Sequence, residues 1–186
     1  MNLVIAIAGL HGTGKSVQAK LIAEQFKLKY ISIGEIFREL ANQKNMDLET
    51  FSKYCENNPE IDSELDDLIT KKAKEGNCII DSQLAAWKSG ELSDLKIFLT
   101  APLEIRVKRI ATRDNFPLEK AKIETIAREQ SEKMRYLKSY NINIEDLTIY
   151  DVIINTEKWT IDGINEIIKK IIEEFIKNKK GEKNGI

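Results

Sequence analysis

The segment at residues 9–16 carries the strongest chemical signal in the sequence, because it fits the pattern G-x-x-x-x-G-K-[ST] at every fixed position. Its residues are Gly9, Leu10, His11, Gly12, Thr13, Gly14, Lys15 and Ser16. Glycines let the backbone wrap so that successive N–H groups point at phosphate oxygens. Lys15 can reach the terminal phosphates of a nucleoside triphosphate, and the Ser16 hydroxyl can bind Mg²⁺. The motif therefore predicts a phosphate-binding loop.

Two other residues near this loop have side chains that could take part in chemistry. His11 is the one histidine of the chain. Phosphoryl transfer depends on positioning and charge neutralisation more than on a base, so we expect His11 to face solvent. Asp81 ends the apolar run at residues 78–80. A carboxylate at the end of a strand beside the loop can coordinate Mg²⁺, or it can cap the next segment, and the sequence leaves both readings open.

Arginine is rare and clustered in this chain. Of 29 basic residues only six are arginine, and five of these fall within thirty positions: Arg106, Arg109, Arg113, Arg128 and Arg135. Their spacing of three, four or seven residues places them along helical faces, where they could pair with nearby glutamates. Arginine also binds phosphate through its planar fork, and the remaining solvated faces use lysine. We therefore expect at least two of the five to bind phosphate.

Alternating strands and helices position these residues. Continuous apolar runs at residues 3–8, 29–33, 78–80, 95–99 and 152–154 predict five strands, with helical periodicity between them and in the last helix at about residues 161–177. This alternation predicts an α/β fold with a parallel sheet flanked by helices. The connection between the second and third strands is far longer than a crossover needs, which indicates a helical insertion at about residues 34–76.

Composition excludes several other classes of protein. The 186 residues carry a net charge of −1, so no basic field is present to hold nucleic acid or an anionic membrane. No apolar run reaches membrane length. The two cysteines stand apart and predict neither a disulfide framework nor a zinc site. We expect a cytoplasmic protein, monomeric, without nucleic-acid or membrane partners.

The loop, the insertion and the arginines together predict a protein that holds two phosphate-bearing molecules. Arg38 lies on the first helix of the insertion, away from the other five arginines, where it could grip a second anion. A GTPase would carry a base-reading N-K-x-D motif, which this sequence lacks. The combination favours a small-molecule kinase.

At this level of detail the chain resembles the archaeal type of cytidylate kinase, within the P-loop nucleoside monophosphate kinases. Beyond the loop, the resemblance rests on residues 31–41, 58–66, 84–87, 101–106, 128–136 and 149–156. It implies a P-loop kinase fold and transfer of the ATP γ-phosphoryl group to CMP or dCMP with Mg²⁺, a reaction of pyrimidine nucleotide metabolism. It also implies one domain at residues 1–178, with a lid at about residues 113–140 and a flexible tail at residues 179–186.

The resemblance assigns a role to individual side chains. The residues implied for catalysis are Lys15, Arg113, Arg128 and Arg135. Those implied for the acceptor are Ser32, Arg38 and Gln83, and those for the metal are Ser16 and Asp81. Many relatives carry an arginine where this chain has Gln83. Trp87 and Tyr136 are expected to pack in the core.

Two alternatives remain beside this reading. The acceptor could be UMP or AMP, or the chain could be a slow P-loop ATP-binding regulatory or RNA-processing factor.

We further expect the insertion and the lid to be attached to the sheet mostly by their ends, with the link at residues 114–117 as a hinge. Such a protein would be open without substrates, because closure serves to exclude water from the phosphoryl group.

Overall fold

The computed structural model describes residues 2–183, which contain one five-stranded parallel sheet. Its strands are β1 (Val4–Ala8), β2 (Lys29–Ser32), β3 (Cys78–Asp81), β4 (Leu95–Thr100) and β5 (Val152–Asn155). They lie in the order β2-β3-β1-β4-β5, and all neighbouring pairs are parallel. The predicted fold class is confirmed, and each strand ends within one residue of its predicted bounds.

The central strand explains why the first apolar run has no polar alternation. All five residues of β1 are buried, because β3 and β4 flank it and helices cover both faces of the sheet. Parallel register sets Ile7 of β1 and Ser32 of β2 on either side of Asp81 in β3. The carboxyl ends of these three strands therefore meet at one edge, where the loop at residues 9–14 leaves the sheet.

Eight α-helices and one short 3₁₀ turn lie within the described residues. The helices are α1 (Lys15–Phe26), α2 (Ile33–Gln43), α3 (Leu48–Glu56), α4 (Pro59–Glu75), α5 (Ala85–Ser89), α6 (Leu103–Asp114), α7 (Leu118–Tyr140) and α8 (Ile161–Lys183). On one face of the sheet, α1 and α8 pack over an aliphatic core that includes Ile5, Ile22 and Ile168. No helix within residues 2–183 is both long enough and apolar enough to cross a membrane.

The helical insertion packs on the other face of the sheet. Phe37 of α2, Phe51 of α3 and Ile69 of α4 share one buried cluster with Ala6 and Ile80 of the strands. The expectation that the insertion is attached mostly by its ends is therefore wrong. The apolar faces of its helices are removed from water because they pack onto the sheet. In that core the ring centroids of Phe37 and Phe51 lie 4.7 Å apart.

The lid is also docked rather than open. Asn115, in the left-handed conformation (φ 53°), ends α6, and α7 begins after Pro117. From there α7 runs back across α3, where Ser131 Oγ donates a hydrogen bond to Glu56 Oε1 (2.6 Å). Polar contacts described below fix α7 to both the insertion and the loop, and opening in the absence of substrates stays a prediction.

Two local features differ from prediction. The short helix α5 and the 3₁₀ turn Gly90–Leu92 were not predicted, because five and three residues are too few to show helical periodicity. The final helix α8 continues to Lys183, so residues 179–183 of the predicted flexible tail are helical, and their flexibility stays a prediction. Lys179 pairs with Asp94 on the body of the protein, which holds that turn in place. Residues 184–186 of the predicted tail lie outside the described residues.

Candidate active site

The loop between β1 and α1 has the conformation that its glycines were expected to allow. Gly9, Gly12 and Gly14 all have positive φ (143°, 78° and 95°). A Cβ at Gly9 would collide with the Leu99 carbonyl oxygen, and one at Gly12 would lie 2.5 Å from that of Arg106. Side chains are therefore excluded at both positions. The N-terminus of α1 follows directly at Lys15, so its positive dipole end faces the concave side of the loop.

Lys15 folds back onto this loop. Its Nζ donates a hydrogen bond to the Leu10 carbonyl oxygen (2.9 Å), which also accepts one from Thr13 Oγ1 (2.8 Å). Burial lowers the pKa of Lys15, although Asp81 and Glu132 act in the opposite direction. An anion on the loop would give this buried ammonium a full counter-charge in place of a carbonyl oxygen.

Asp81 lies where a metal-binding or water-ordering acid was expected, at the end of β3 beside the loop. The carboxylate is 3% exposed, and its Oδ2 accepts hydrogen bonds from Tyr30 Oη (3.1 Å) and Ser32 Oγ (3.2 Å). Burial, together with Asp81, raises the pKa of Tyr30, so the phenol stays protonated and donates. Ser32 Oγ in turn accepts from Glu35 N (3.3 Å) as the cap of α2. Asp81 thus connects the phosphate loop to the start of the insertion.

One cavity of about 410 Å³ joins the loop to the insertion. Its lining from the loop side includes His11, Gly12, Lys15, Ser16, Arg109, Arg113 and Trp159. Its lining from the insertion and lid includes Phe37, Arg38, Asp62, Leu65, Asp66, Arg128, Glu132 and Tyr136. Asp81 and Gln83 line the wall between these two groups. A single space is therefore lined by the phosphate loop at one end and by a second, partly apolar pocket at the other.

Arg106 is a structural part of the site that the sequence reasoning missed. It is 5% exposed, and its Nη1 donates to the His11 carbonyl oxygen (2.9 Å) while its Nε donates to that of Ala101 (3.1 Å). The guanidinium also grips both carboxylate oxygens of Glu129 on α7 (2.5 and 3.2 Å). The sequence also allowed a solvated helical face on which arginines pair with glutamates. Arg106 does pair with a glutamate, but the pair is largely withdrawn from solvent. Arg106 fastens the phosphate loop to α6 and to the lid.

Glu132 of α7 reaches the loop from the lid side. It is 4% exposed, with Oε2 2.7 Å from His11 Nε2 and 2.6 Å from Gln83 Nε2, which donates to it. Burial opposes its ionisation, but the field of His11, Arg128 and Arg135 prevails and sets the pKa of Glu132 at about 2. The expectation that His11 faces solvent is wrong, since its side chain is 21% exposed and burial lowers its pKa. The spacing Arg128, Glu132, Arg135 was a signal available in the sequence, because it lies on one helical face.

The structure distributes the predicted arginines unevenly around the cavity. Arg128 lines it, 3.5 Å from Glu132, with its Nε buried and unpartnered among the described residues. Arg113 lines it near the loop but is 55% exposed and pairs with Asp114. Arg135 lies deeper, where it donates to Asp62 Oδ2 (2.6 Å) and to the carbonyl oxygen of Ser52 (3.1 Å). In this conformation Arg135 binds the lid to the insertion.

The two remaining arginines line the cavity from different elements. Arg38 projects from α2, half-buried, and makes no hydrogen bond or ion pair with any residue between 2 and 183. Arg109 projects from α6 and donates to both oxygens of Thr156, at 2.9 Å to Oγ1 and 2.8 Å to the carbonyl. Beside it stand the exposed side chains of Trp159 and Ile161. These two apolar residues were not singled out from the sequence, because nothing in their spacing marks them.

Trp87 and Tyr136 both pack against the core of the insertion, as expected. Tyr136 also lines the cavity.

Comparisons with known proteins agree with this geometry. The sequence model of the cytidylate kinase-like family matches residues 4–158. The cytidylate kinase of Staphylothermus marinus is 46% identical over 175 residues, covering 94% of this chain and 99% of that protein. The cytidylate kinase of Methanocaldococcus jannaschii is 44% identical over 178 residues, covering 94% and 100%.

Solved structures with a similar fold are more distant in sequence. A shikimate kinase from Bacteroides thetaiotaomicron superposes with a TM-score of 0.61 at 12% identity, over 93% of this chain and 99% of that one. A shikimate kinase from Acinetobacter baumannii gives a TM-score of 0.60 at 14% identity, over 96% of each chain. These likenesses show the P-loop kinase fold, and the sequence match shows the family. The chain belongs to the cytidylate kinase-like family.

Proposed function

We propose that this protein transfers the γ-phosphoryl group of ATP to CMP or dCMP, forming CDP or dCDP. The observation that carries the proposal is the single cavity that joins the phosphate loop to the insertion, lined on the insertion side by Arg38, which has no partner within residues 2–183. A kinase needs both substrates in one water-excluding space, with their phosphates facing each other. The resemblance to cytidylate kinases supports the choice of acceptor and a place in cytoplasmic pyrimidine nucleotide metabolism.

The donor side of the cavity is suited to ATP. Loop amides and the α1 N-terminus would hold the β- and γ-phosphates, and Lys15 would exchange the Leu10 carbonyl for a phosphate oxygen. Arg109 and Trp159 border the space beyond the loop, which leaves a partly apolar wall for the adenine.

The residues at the loop also fit Mg²⁺. Asp81 and Ser16 line the same cavity and offer a carboxylate and a hydroxyl oxygen, the ligand types that this ion prefers. Within residues 2–183 no cluster of three metal-binding side chains occurs, which suits an ion that takes its other ligands from phosphates and water. When bound, Mg²⁺ supplies charge neutralisation between the β- and γ-phosphates.

The acceptor side offers three groups for the monophosphate. Arg38 is free to bind its phosphate through a bidentate contact. Gln83 lines the cavity together with Asp81. Ser32 does not line it, and its buried hydroxyl would have to release Asp81 to reach the acceptor. Because Gln83 stands where many relatives carry arginine, the phosphate loses one cationic contact here, and we expect Arg38 to carry more of the binding energy.

The lid arginines would neutralise the charge that spreads over the phosphoryl oxygens in the transition state. Arg128 is placed for this already, once Glu132 gives way to the phosphates. Arg113 and Arg135 would have to leave Asp114 and Asp62, so their assignment requires a rearrangement of the lid. No general base is required for this role, since a phosphate oxygen of the acceptor is itself the nucleophile.

An acceptor panel tests the proposal. Purified protein with ATP and Mg²⁺ is assayed for ADP release with CMP, dCMP, UMP and AMP, with Lys15→Ala as the matched inactive control. We expect the highest kcat/KM with CMP or dCMP, and turnover of order 1–100 s⁻¹. Preference for UMP or AMP would change the acceptor, whereas no turnover above the Lys15→Ala level with any monophosphate would favour the regulatory or RNA-processing alternative.

A further inference from the structure

One buried carboxylate in the cavity makes no hydrogen bond within the described residues. Asp66 of α4 has a side chain 8% exposed and lines the cavity. Its Oδ2 is fully buried and makes no hydrogen bond within residues 2–183, although Tyr140 Oη, which is likewise buried without a hydrogen bond there, lies close to it. Its nearest cation, Lys88 Nζ, is 3.5 Å away. Asp62, one turn earlier on the same helix, differs in this respect because Arg135 Nε donates to it. Burying a carboxylate without a donor is costly, so the vacant oxygen indicates a donor that arrives with a ligand.

The position of Asp66 identifies which part of a ligand it meets. Along α7, Glu132 touches the phosphate loop, and Tyr140 lies two turns further on. Eight residues at about 1.5 Å each place Tyr140 about 12 Å from Glu132 along the helix axis. Lys88 connects Asp66 to Tyr140, since its Nζ lies 3.1 Å from the Tyr140 ring centroid. A monophosphate whose phosphate faces the loop therefore directs its base, one sugar away, toward Asp66.

The bases differ in what they present to a carboxylate. Cytosine carries an amino group at C4, which donates, and acidic side chains accept from it in nucleic-acid recognition. Uracil carries at the same position an oxygen, which can only accept. We infer that Asp66 is the specificity-determining residue of the acceptor pocket, with Oδ2 accepting a hydrogen bond from the 4-amino group of cytosine. This inference rests on the proposed function.

The surroundings of Asp66 support an ionised acceptor. Burial raises the pKa of Asp66 to about 6, while the Tyr140 hydroxyl and the charge of Lys88 act to lower it. The carboxylate is thus charged at neutral pH and repels an acceptor atom such as the uracil O4. A site that is built to receive a hydrogen bond rejects a ligand that lacks the donor far more strongly than an apolar pocket would.

Replacement of the Asp66 carboxylate by an amide tests this inference. We compare kcat/KM for CMP and UMP in the parental protein, in Asp66→Asn, and in Asp67→Asn, a matched control because Asp67 is the next residue of α4 and is exposed. We expect the CMP-to-UMP ratio to fall by roughly tenfold to a hundredfold in Asp66→Asn, because the amide can also donate to uracil O4. The ratio in Asp67→Asn and the KM for ATP in both variants should not change.

A ligand-side experiment keeps the test independent of folding. The parental protein is given a CMP analogue with hydrogen in place of the 4-amino group, and kcat/KM should fall by a similar factor. An analogue used as well as CMP, or an unchanged ratio in a folded Asp66→Asn variant, would overturn the role of Asp66. Failure of the proposed function gives a different result, since the parental protein would then phosphorylate no monophosphate.

Discussion

Arg106 provides the sharpest test of how this site is held together. The change is Arg106→Met, which keeps an unbranched side chain of similar length and removes all of its donors. The His11 and Ala101 carbonyl oxygens lose their bonds, and the Glu129 carboxylate, 15% exposed, loses its bidentate partner. Breaking a buried ion pair from one side costs about 3–5 kcal/mol, and the partial exposure of Glu129 places the expected loss near about 3 kcal/mol.

For a protein of this length, 1 kcal/mol corresponds to about 2–4 °C in the unfolding midpoint, so Arg106→Met should unfold about 6–12 °C below the parental protein. Calorimetry or circular dichroism measures this shift. The KM for ATP should rise in the surviving fold, because the loop loses its anchor at His11. Arg113→Ala is the stability control, since its exposed pair with Asp114 contributes at most about 1 kcal/mol.

A double variant separates the ion pair from general packing. Arg106→Met combined with Glu129→Met removes the uncompensated carboxylate, so its midpoint should lie above that of Arg106→Met alone. A single variant that unfolds within about 1 °C of the parental protein would refute the assignment of Arg106 as the anchor of the loop.

Three further predictions concern binding, turnover and pH. Arg38→Ala should raise the KM for the acceptor far more than the KM for ATP, because Arg38 faces the acceptor end alone; equal changes in both constants would contradict this. Arg128→Ala should mainly lower kcat, since charge on the phosphoryl oxygens grows in the transition state, and steady-state kinetics with an unchanged kcat would exclude it from that role. Glu132 has its pKa lowered from 4.5 to about 2, so it adds stability above pH 4.5 that is lost as the pH falls toward 2. Acid unfolding of Glu132→Gln should therefore be shallower in this range than that of the parental protein, and identical curves would show that Glu132 is not the group responsible.

The parts of the molecule that the sequence predicts are those with a local cause. Val4–Ala8 is continuously apolar because both faces of a central parallel strand are buried. That pattern can be recognised without knowing how the other segments pack. The phosphate loop is similarly local, since its glycines satisfy requirements set by the nearest backbone.

The parts that escaped prediction depend on contacts between distant segments. The spacing of Arg106, Arg109 and Arg113 places them along one side of a helix without telling which residue faces inward. Arg106 became buried because Glu129 arrives from α7, 23 positions away. Asp66 reads in sequence as one more acid on a charged helix, and only the packing of α4 under α5 and α7 withdraws it from water. Burial of a charge is a property of the assembled fold.

The pairing of charges around the cavity bears on where the cavity attracts anions. Four cationic side chains are each balanced by a nearby carboxylate: Lys15 by Asp81, Arg106 by Glu129, Arg128 by Glu132 and Arg135 by Asp62. Uncompensated positive charge is left at Arg38, and at Arg109, whose hydrogen-bond partners are neutral oxygens of Thr156 and Gly12. Away from the phosphate loop, an inorganic anion in the middle of the cavity therefore meets little net attraction, whereas an anion that reaches Arg38 or Arg109 does. Internal pairing of charges thus concentrates the attraction for anions at the phosphate loop, Arg38 and Arg109.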